Sequence, residues 1–211
     1  MLKFVYELDN FAKTLNYPIE QLFTIDAIVD VELLNDISGG WQYTEAKICC
    51  VGVIHKGLIT IMLLEYEGDK KFLPIVQEEL MRFASEARLF SFNAGMEQAI
   101  FDNLFDKIFK IEELAPIHGK GWSMQRCYDT LMDNKVISGV HLKDTFEGKP
   151  MASAIHWQRF KETEEEEHLW KISHHCVENL LRQALIHHNR DWFGKNFKLD
   201  AKGWERGETK R

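Results

Sequence analysis

The 211-residue chain is long enough to bury a substantial core as one domain, and its 45% hydrophobic content is that of a globular protein. Its 33 acidic against 26 basic side chains (net charge -7) argue against a generic nucleic-acid coat, which binds by neutralising phosphates, but leave room for an enzyme whose acids hold metal ions. No apolar run approaches the ~18 residues that span a bilayer, the N-terminus turns acidic at Glu7 too soon for a secretory signal, and Cys49, Cys50, Cys127 and Cys176 form no C-x-x-C pair, so a cytoplasmic protein with reduced thiols and no membrane association is expected.

Residues 1–24 are expected to form an N-terminal extension with a short amphipathic helix over 8–15, closed by Asn16, Tyr17 and Pro18. In the next stretch, 27–33, Ile28, Val29 and Val31 favour a buried strand, yet two carboxylates interrupt the run. Strand side chains alternate, so Asp30 and Glu32 project from one face and concentrate the negative charge that hard divalent cations require. An unpaired buried carboxylate costs several kcal/mol, so these acids need either a partner of that kind or a solvated strand end.

A polar connection over 35–40 leads to a second strand at 47–54, a turn at His55, Lys56 and Gly57, and a third strand at 58–66, which together read as an antiparallel meander. Leu73, Val76, Leu80, Phe83 and Ala84 recur at helical spacing, so 72–87 is expected to cross back and bring the short strand 88–93 parallel to the first. Helices follow over 96–109, 124–132, 141–146, 151–163 and 169–188, with the acidic run 164–167 solvated between the last two. The expected fold class is α/β: a central mixed sheet of about five strands, the first three antiparallel and the rest parallel, with helices on both faces. From Arg182 to Arg211 there are eight Lys or Arg against four acids, so the tail 191–211 is a candidate contact for a nucleic-acid backbone.

Three blocks carry the candidate chemistry. The first is Val29-Asp30-Val31-Glu32, the second Phe92-Asn93-Ala94-Gly95-Met96-Glu97, and the third Ser173-His174-His175-Cys176-Val177-Glu178-Asn179. In order and spacing they resemble the DEDD-type 3′-to-5′ exonucleases of the RNase H-like fold, with the YprB-like branch the nearest. That family's pattern is D-x-E on the first strand, Asn and then an acid after a later strand, and His or Tyr followed by Asp on a late helix. Glu97 stands here in place of the commoner Asp, and Asn179 stands where the family has its last acid.

The resemblance covers roughly 25–188 and implies an RNase H-like exonuclease domain over 25–190. It implies a site for two Mg²⁺ or Mn²⁺ ions held by Asp30, Glu32, Glu97 and Asn179, with His174 or His175 as general base. It further implies that Asn93 places the second-block acid. Phe92, Met96 or Trp157 are candidates to stack on bases, as apolar platforms do for single strands. The implied function is metal-dependent removal of nucleotides from single-stranded DNA or RNA ends, beside a separate polymerase, helicase or other nucleic-acid-processing protein. The alternative is an exonuclease-fold binding or adaptor module whose catalysis is impaired, because the amide of Asn179 carries no charge. Several residues keep a second reading: Asp102 as the second-block acid, Glu178 as the third, Asn93 as a helix cap, and Phe92, Met96 and Trp157 as core.

Overall fold

Six strands form one sheet in the order β1-β4-β3-β2-β5-β6: β1 (Leu2–Glu7), β2 (Ala27–Leu33), β3 (Ile48–His55), β4 (Leu58–Leu63), β5 (Leu89–Ser91) and β6 (Ile111–Glu113). The helices are α1 (Leu73–Glu86), α2 (Ala94–Leu104), α3 (Met124–Asp133), α4 (Ala152–Thr163), α5 (Glu167–His188) and α6 (Arg190–Asn196). The structure is a computed structural model that describes residues 1–11, 17–35, 46–64, 70–105, 109–116, 122–138, 142, 145–147, 149 and 151–197. Expectations that fall on 12–16, 36–40, 65–69, 106–108, 141, 143–144 and 198–211 lie outside the described residues.

The alternation of β2 divides the core into two. Ala27, Val29 and Val31 pack on one face with Val76, Leu80 and Phe83 of α1 and Ile100 and Phe101 of α2, whereas Ile28 packs on the other with Cys176, Leu180 and Ala184 of α5. Each fully buried Val or Ile is worth about 1.5–3 kcal/mol, and this holds in the sheet centre a strand that also carries two acids. β2, β3 and β4 form the antiparallel meander, closed at Lys56 (φ 48°) and Gly57 (φ 78°), the pair of positive φ values that a tight hairpin turn needs. β5 returns parallel to β2, and helices cover both faces, so the protein is α/β with a mixed sheet compatible with the RNase H-like fold.

Gly52 decides how closely α5 approaches the sheet. It is the cross-strand partner of Asp30, and a Cβ added there would lie 2.5 Å from Cys176 Sγ and 2.8 Å from Leu180 Cδ1. Only a residue without a side chain lets α5 rest on β3 beside Asp30.

The sheet has six strands against the expected five, and β1 and β6 lie where no strand was expected. Residues 1–24 are not an extension outside the sheet: β1 pairs antiparallel with β4 from Leu2 against Leu63 to Glu7 against Leu58, and its Phe4 and Tyr6 pack on the α5 side. The helix expected over 8–15 is, where described, a 3-10 turn (Leu8–Phe11) anchored by the buried Leu8. β6 pairs parallel with β5 over three residues. The helix expected to reach residue 109 stops at Leu104, because Phe105 turns extended and its ring joins those of Phe101 and Phe109 at 5.3–6.2 Å. Among the described residues no helix is long and apolar enough to cross a membrane.

Candidate active site

Asp30 and Glu32 leave β2 on the side of α5, as the period of the strand requires, and the third block meets them there. His175 and Asn179 stand one turn apart on α5 and therefore share a face. The Asn179 amide nitrogen donates to Asp30 Oδ2 (3.4 Å) and to Glu32 Oε1 (3.2 Å), and His175 Nε2 lies 3.3 Å from Glu32 Oε1 and 3.2 Å from Asn179 Nδ2. Gln183 Nε2 donates to Asp30 Oδ1 at 2.8 Å, and Ser153 Oγ of α4 donates to Glu32 Oε2 at 2.7 Å. Each carboxylate oxygen of Asp30 and Glu32 thus accepts from a side chain of α4 or α5.

The orientation of Asn179 follows from its neighbours. Arg182, 1% exposed, can only donate, and its Nη1 meets Asn179 Oδ1 at 3.0 Å. Asn179 therefore presents its amino group to the acids and its oxygen to the guanidinium.

Glu97 approaches from the opposite direction, in the first turn of α2. It is 3% exposed, and burial first, then the charge of Asp30, pushes its carboxyl up to about 8. Its Oε2 and the Ser91 hydroxyl at the end of β5 are both buried without a well-formed hydrogen bond among the described residues, and Ser91 is near enough to draw the carboxyl down against that rise. Burial also raises Asp30 to about 6, against hydrogen bonds from Asn179, Cys176 and Gln183 and the charge of Arg182. Two buried carboxyl groups whose ionisation burial opposes, one acting on the other through its charge, suit a hard divalent cation, which would relieve both. Asp30 and Glu97, with Glu32 two residues from Asp30 on β2, are the residues that could hold it. Asn179 offers only N–H groups on this side. Among the described residues no three or more His, Cys, Asp or Glu side chains are gathered into a group that could hold a metal ion.

The remaining candidates separate. His174 is 59% exposed on the next face of the helix, where it lies 3.5 Å from Glu178 Oε1; one step along a helix turns a side chain by about 100°, so His175 and not His174 reaches the acids. Glu178 accepts from the backbone N–H and hydroxyl of Thr145 at 2.8 and 2.7 Å and does not take the place of the third acid. Asp102 is exposed and bonds Gln98, away from the site. Asn93 holds the N-cap position of α2 through its backbone carbonyl, which accepts from the N–H groups of Met96 and Glu97, while its exposed side chain donates to Met96 Sδ at 3.6 Å. Phe92 packs half-buried against the α5-side core and donates its backbone N–H to Gln183 Oε1, Met96 packs against the other core, and Trp157 is core. For Trp157 the core reading replaces the stacking one.

Arg182, Gln183, Ser153 and Ser91 are site residues that sequence reasoning missed. Arg182 and Gln183 did leave a signal, as polar residues three and four positions beyond Asn179 inside an apolar helix. No protein-family model, curated protein or solved structure matches this chain.

Proposed function

We propose that the protein is a metal-dependent 3′-to-5′ exonuclease acting on single-stranded nucleic-acid ends. The observation that carries this reading is the meeting of Asp30 and Glu32 of β2 with His175 and Asn179 of α5, next to the buried Glu97 of α2 on which the charge of Asp30 acts. A bound divalent cation supplies an acidified water and charge neutralisation at the scissile phosphate. The chain supplies the rest. Asp30 and Glu97 hold the cation, and Gln183 and Ser153 fix the two β2 carboxylates in place. His175 is placed as general base for the attacking water, and Glu32, 3.3 Å from its Nε2, stabilises the imidazolium that forms. A separate polymerase or helicase is the kind of protein such an enzyme serves.

A second reading has its own observation. Asn179 and Gln183 already donate to both oxygens of Asp30, an arrangement that also suits a binding module of the same fold without catalysis. The two are told apart by incubating the full chain with 5′-labelled single-stranded DNA and RNA in Mg²⁺ or Mn²⁺. Stepwise shortening that stops with a chelator and is absent in Asp30→Asn supports the exonuclease. Strand binding without shortening by the native protein, in either metal, supports the binding module and overturns the exonuclease.

A further inference from the structure

We propose that Arg182 takes the electrostatic place of a second divalent cation, so that the site holds one metal ion where a paired-metal site would hold two. The inference rests on the metal-dependent reading above. It starts from the burial of the guanidinium: Arg182 is 1% exposed and heads the fully buried side chains by volume. A buried guanidinium needs a counter-charge, and its direct partners are neutral. Nη1 donates to Asn179 Oδ1 at 3.0 Å, Nη2 to the Leu142 carbonyl at 2.9 Å, and Nε has no partner among the described residues.

The counter-charge lies one residue further on. Asn179 accepts from Arg182 with its oxygen and donates with its nitrogen to Asp30 and Glu32, so the amide couples the cation to the two acids of β2. The field of Arg182 reaches Asp30 and favours its ionised form. A metal ion on the α5 side of the acids would need an oxygen from position 179. That oxygen is turned away and engaged, and the ion would stand against a fixed positive charge. The Glu97 side has the reverse character: a carboxyl 3% exposed, with a buried oxygen that makes no well-formed hydrogen bond among the described residues, and with the like charges of Asp30 and Glu113 acting on it. One ion between Asp30 and Glu97, balanced by Arg182 across Asn179, satisfies both ends.

Restoring the acid is therefore not enough to restore the second ion. In Asn179→Asp the new carboxylate pairs with Arg182, and the α5 side stays closed to a metal. Only Asn179→Asp combined with Arg182→Met, which keeps the length of the chain and removes its charge, opens it.

The test is a Mn²⁺ titration of the full chain followed by electron paramagnetic resonance, which counts bound ions and detects exchange coupling between paired ones. The native protein, Asn179→Asp and Arg182→Lys are each expected to bind one ion per chain with no coupled signal. The double variant is expected to bind two, with the coupled spectrum of a close pair, and its circular dichroism checks that it has folded. A merely structural role for Arg182 predicts no change in stoichiometry. Two ions in the native chain, or in Asn179→Asp with Arg182 intact, overturn the inference and leave the exonuclease reading standing, and neither measurement depends on the folding of the double variant. A folded double variant that still binds one ion also overturns it. A native chain that binds no ion overturns the metal-dependent reading itself.

Discussion

Gln183 donates to Asp30 Oδ1 at 2.8 Å while its own oxygen accepts from the Phe92 backbone N–H at 3.0 Å, so one side chain of α5 ties the central acid of β2 to the turn after β5. Replacing it by Met keeps the volume and leaves both partners unsatisfied in a buried place. A buried group left without its hydrogen bond costs about 1–3 kcal/mol, more when charged. Gln183→Met is expected to lower unfolding stability at pH 7.5 by about 2–4 kcal/mol on that scale, read from urea denaturation midpoints at unchanged slope. The penalty should shrink at pH 4, where Asp30 is protonated. A penalty independent of pH would mean that packing, and not the Asp30 contact, carries the effect.

Gly52→Ala tests the approach of α5. The added methyl meets Cys176 Sγ and Leu180 Cδ1 at 2.5 and 2.8 Å, closer than real contacts allow, so helix or strand must shift. Overpacking of this kind typically costs about 1–3 kcal/mol, and a displaced helix carries His175 and Asn179 with it. Both the melting temperature and divalent-cation affinity should fall. Cys176→Ala in the same chain removes the nearer clash and should restore part of each.

The central strand, the meander, the crossover helix and the parallel return were legible because each rests on local pattern: β-branched runs, a Lys-Gly turn, and apolar residues at helical spacing. The first and third blocks were legible by spacing, since period two on β2 and one full turn on α5 are enough to bring Asp30, Glu32, His175 and Asn179 to facing sides. β1 was harder to see. Leu2, Phe4 and Tyr6 do alternate with Lys3, Val5 and Glu7, but six residues at an edge, exposed on one side, resemble the start of a loop. β6 has only three residues and owes its form to pairing with β5. Arg182 was hidden for another reason: a charged residue on an amphipathic helix reads as solvated, and only the packing of α5 between the sheet and α3 and α4 shows that it is buried.

The acids predict how stability depends on pH. The folded-state values of Asp30 and Glu97 lie above their ordinary ones, at about 6 and about 8, so their contribution to stability is fully present below about pH 4 and is lost as pH rises through those values. Without metal, the native chain is expected to lose stability as pH rises from about 4 to about 8, and Asp30→Asn, which keeps Glu97, to be spared the part lost between about pH 4 and 6, so that the two melting curves lie closest at the acid end. Mn²⁺ should raise the melting temperature of the native chain strongly at pH 8 and little at pH 5, because binding must displace the protons the two carboxyls hold. Calorimetry in buffers of different ionisation enthalpy should show proton release on binding near pH 7. A Mn²⁺ effect of equal size at both pH values, or no difference from Asp30→Asn, would remove the Asp30 and Glu97 pair as the cation site.

The two histidines of the third block separate a catalytic from a structural reading of α5. His175 Nε2 stands 3.3 Å from Glu32 Oε1 and its ring lies 4.5 Å from that of Phe146, whereas His174 is exposed and faces Glu178. General-base assistance by a positioned side chain is worth about 10²–10⁴-fold. His175→Gln is therefore expected to lower kcat on single-stranded ends by about that factor, to leave cation affinity within a few-fold, and to remove the acid limb that the pH–rate profile keeps at saturating cation. His174→Gln should leave all three unchanged, because its partner Glu178 is still held by Thr145. His175→Tyr offers a sharper control, since the exonuclease pattern that this block resembles has His or Tyr at its head. A hydroxyl there can still orient the attacking water but does not titrate near neutrality. His175→Tyr should recover part of the rate while the acid limb stays absent. Equal losses in His174→Gln and His175→Gln, tracking a common fall in melting temperature, would make both residues supports of the helix and deny His175 its role at the attacking water.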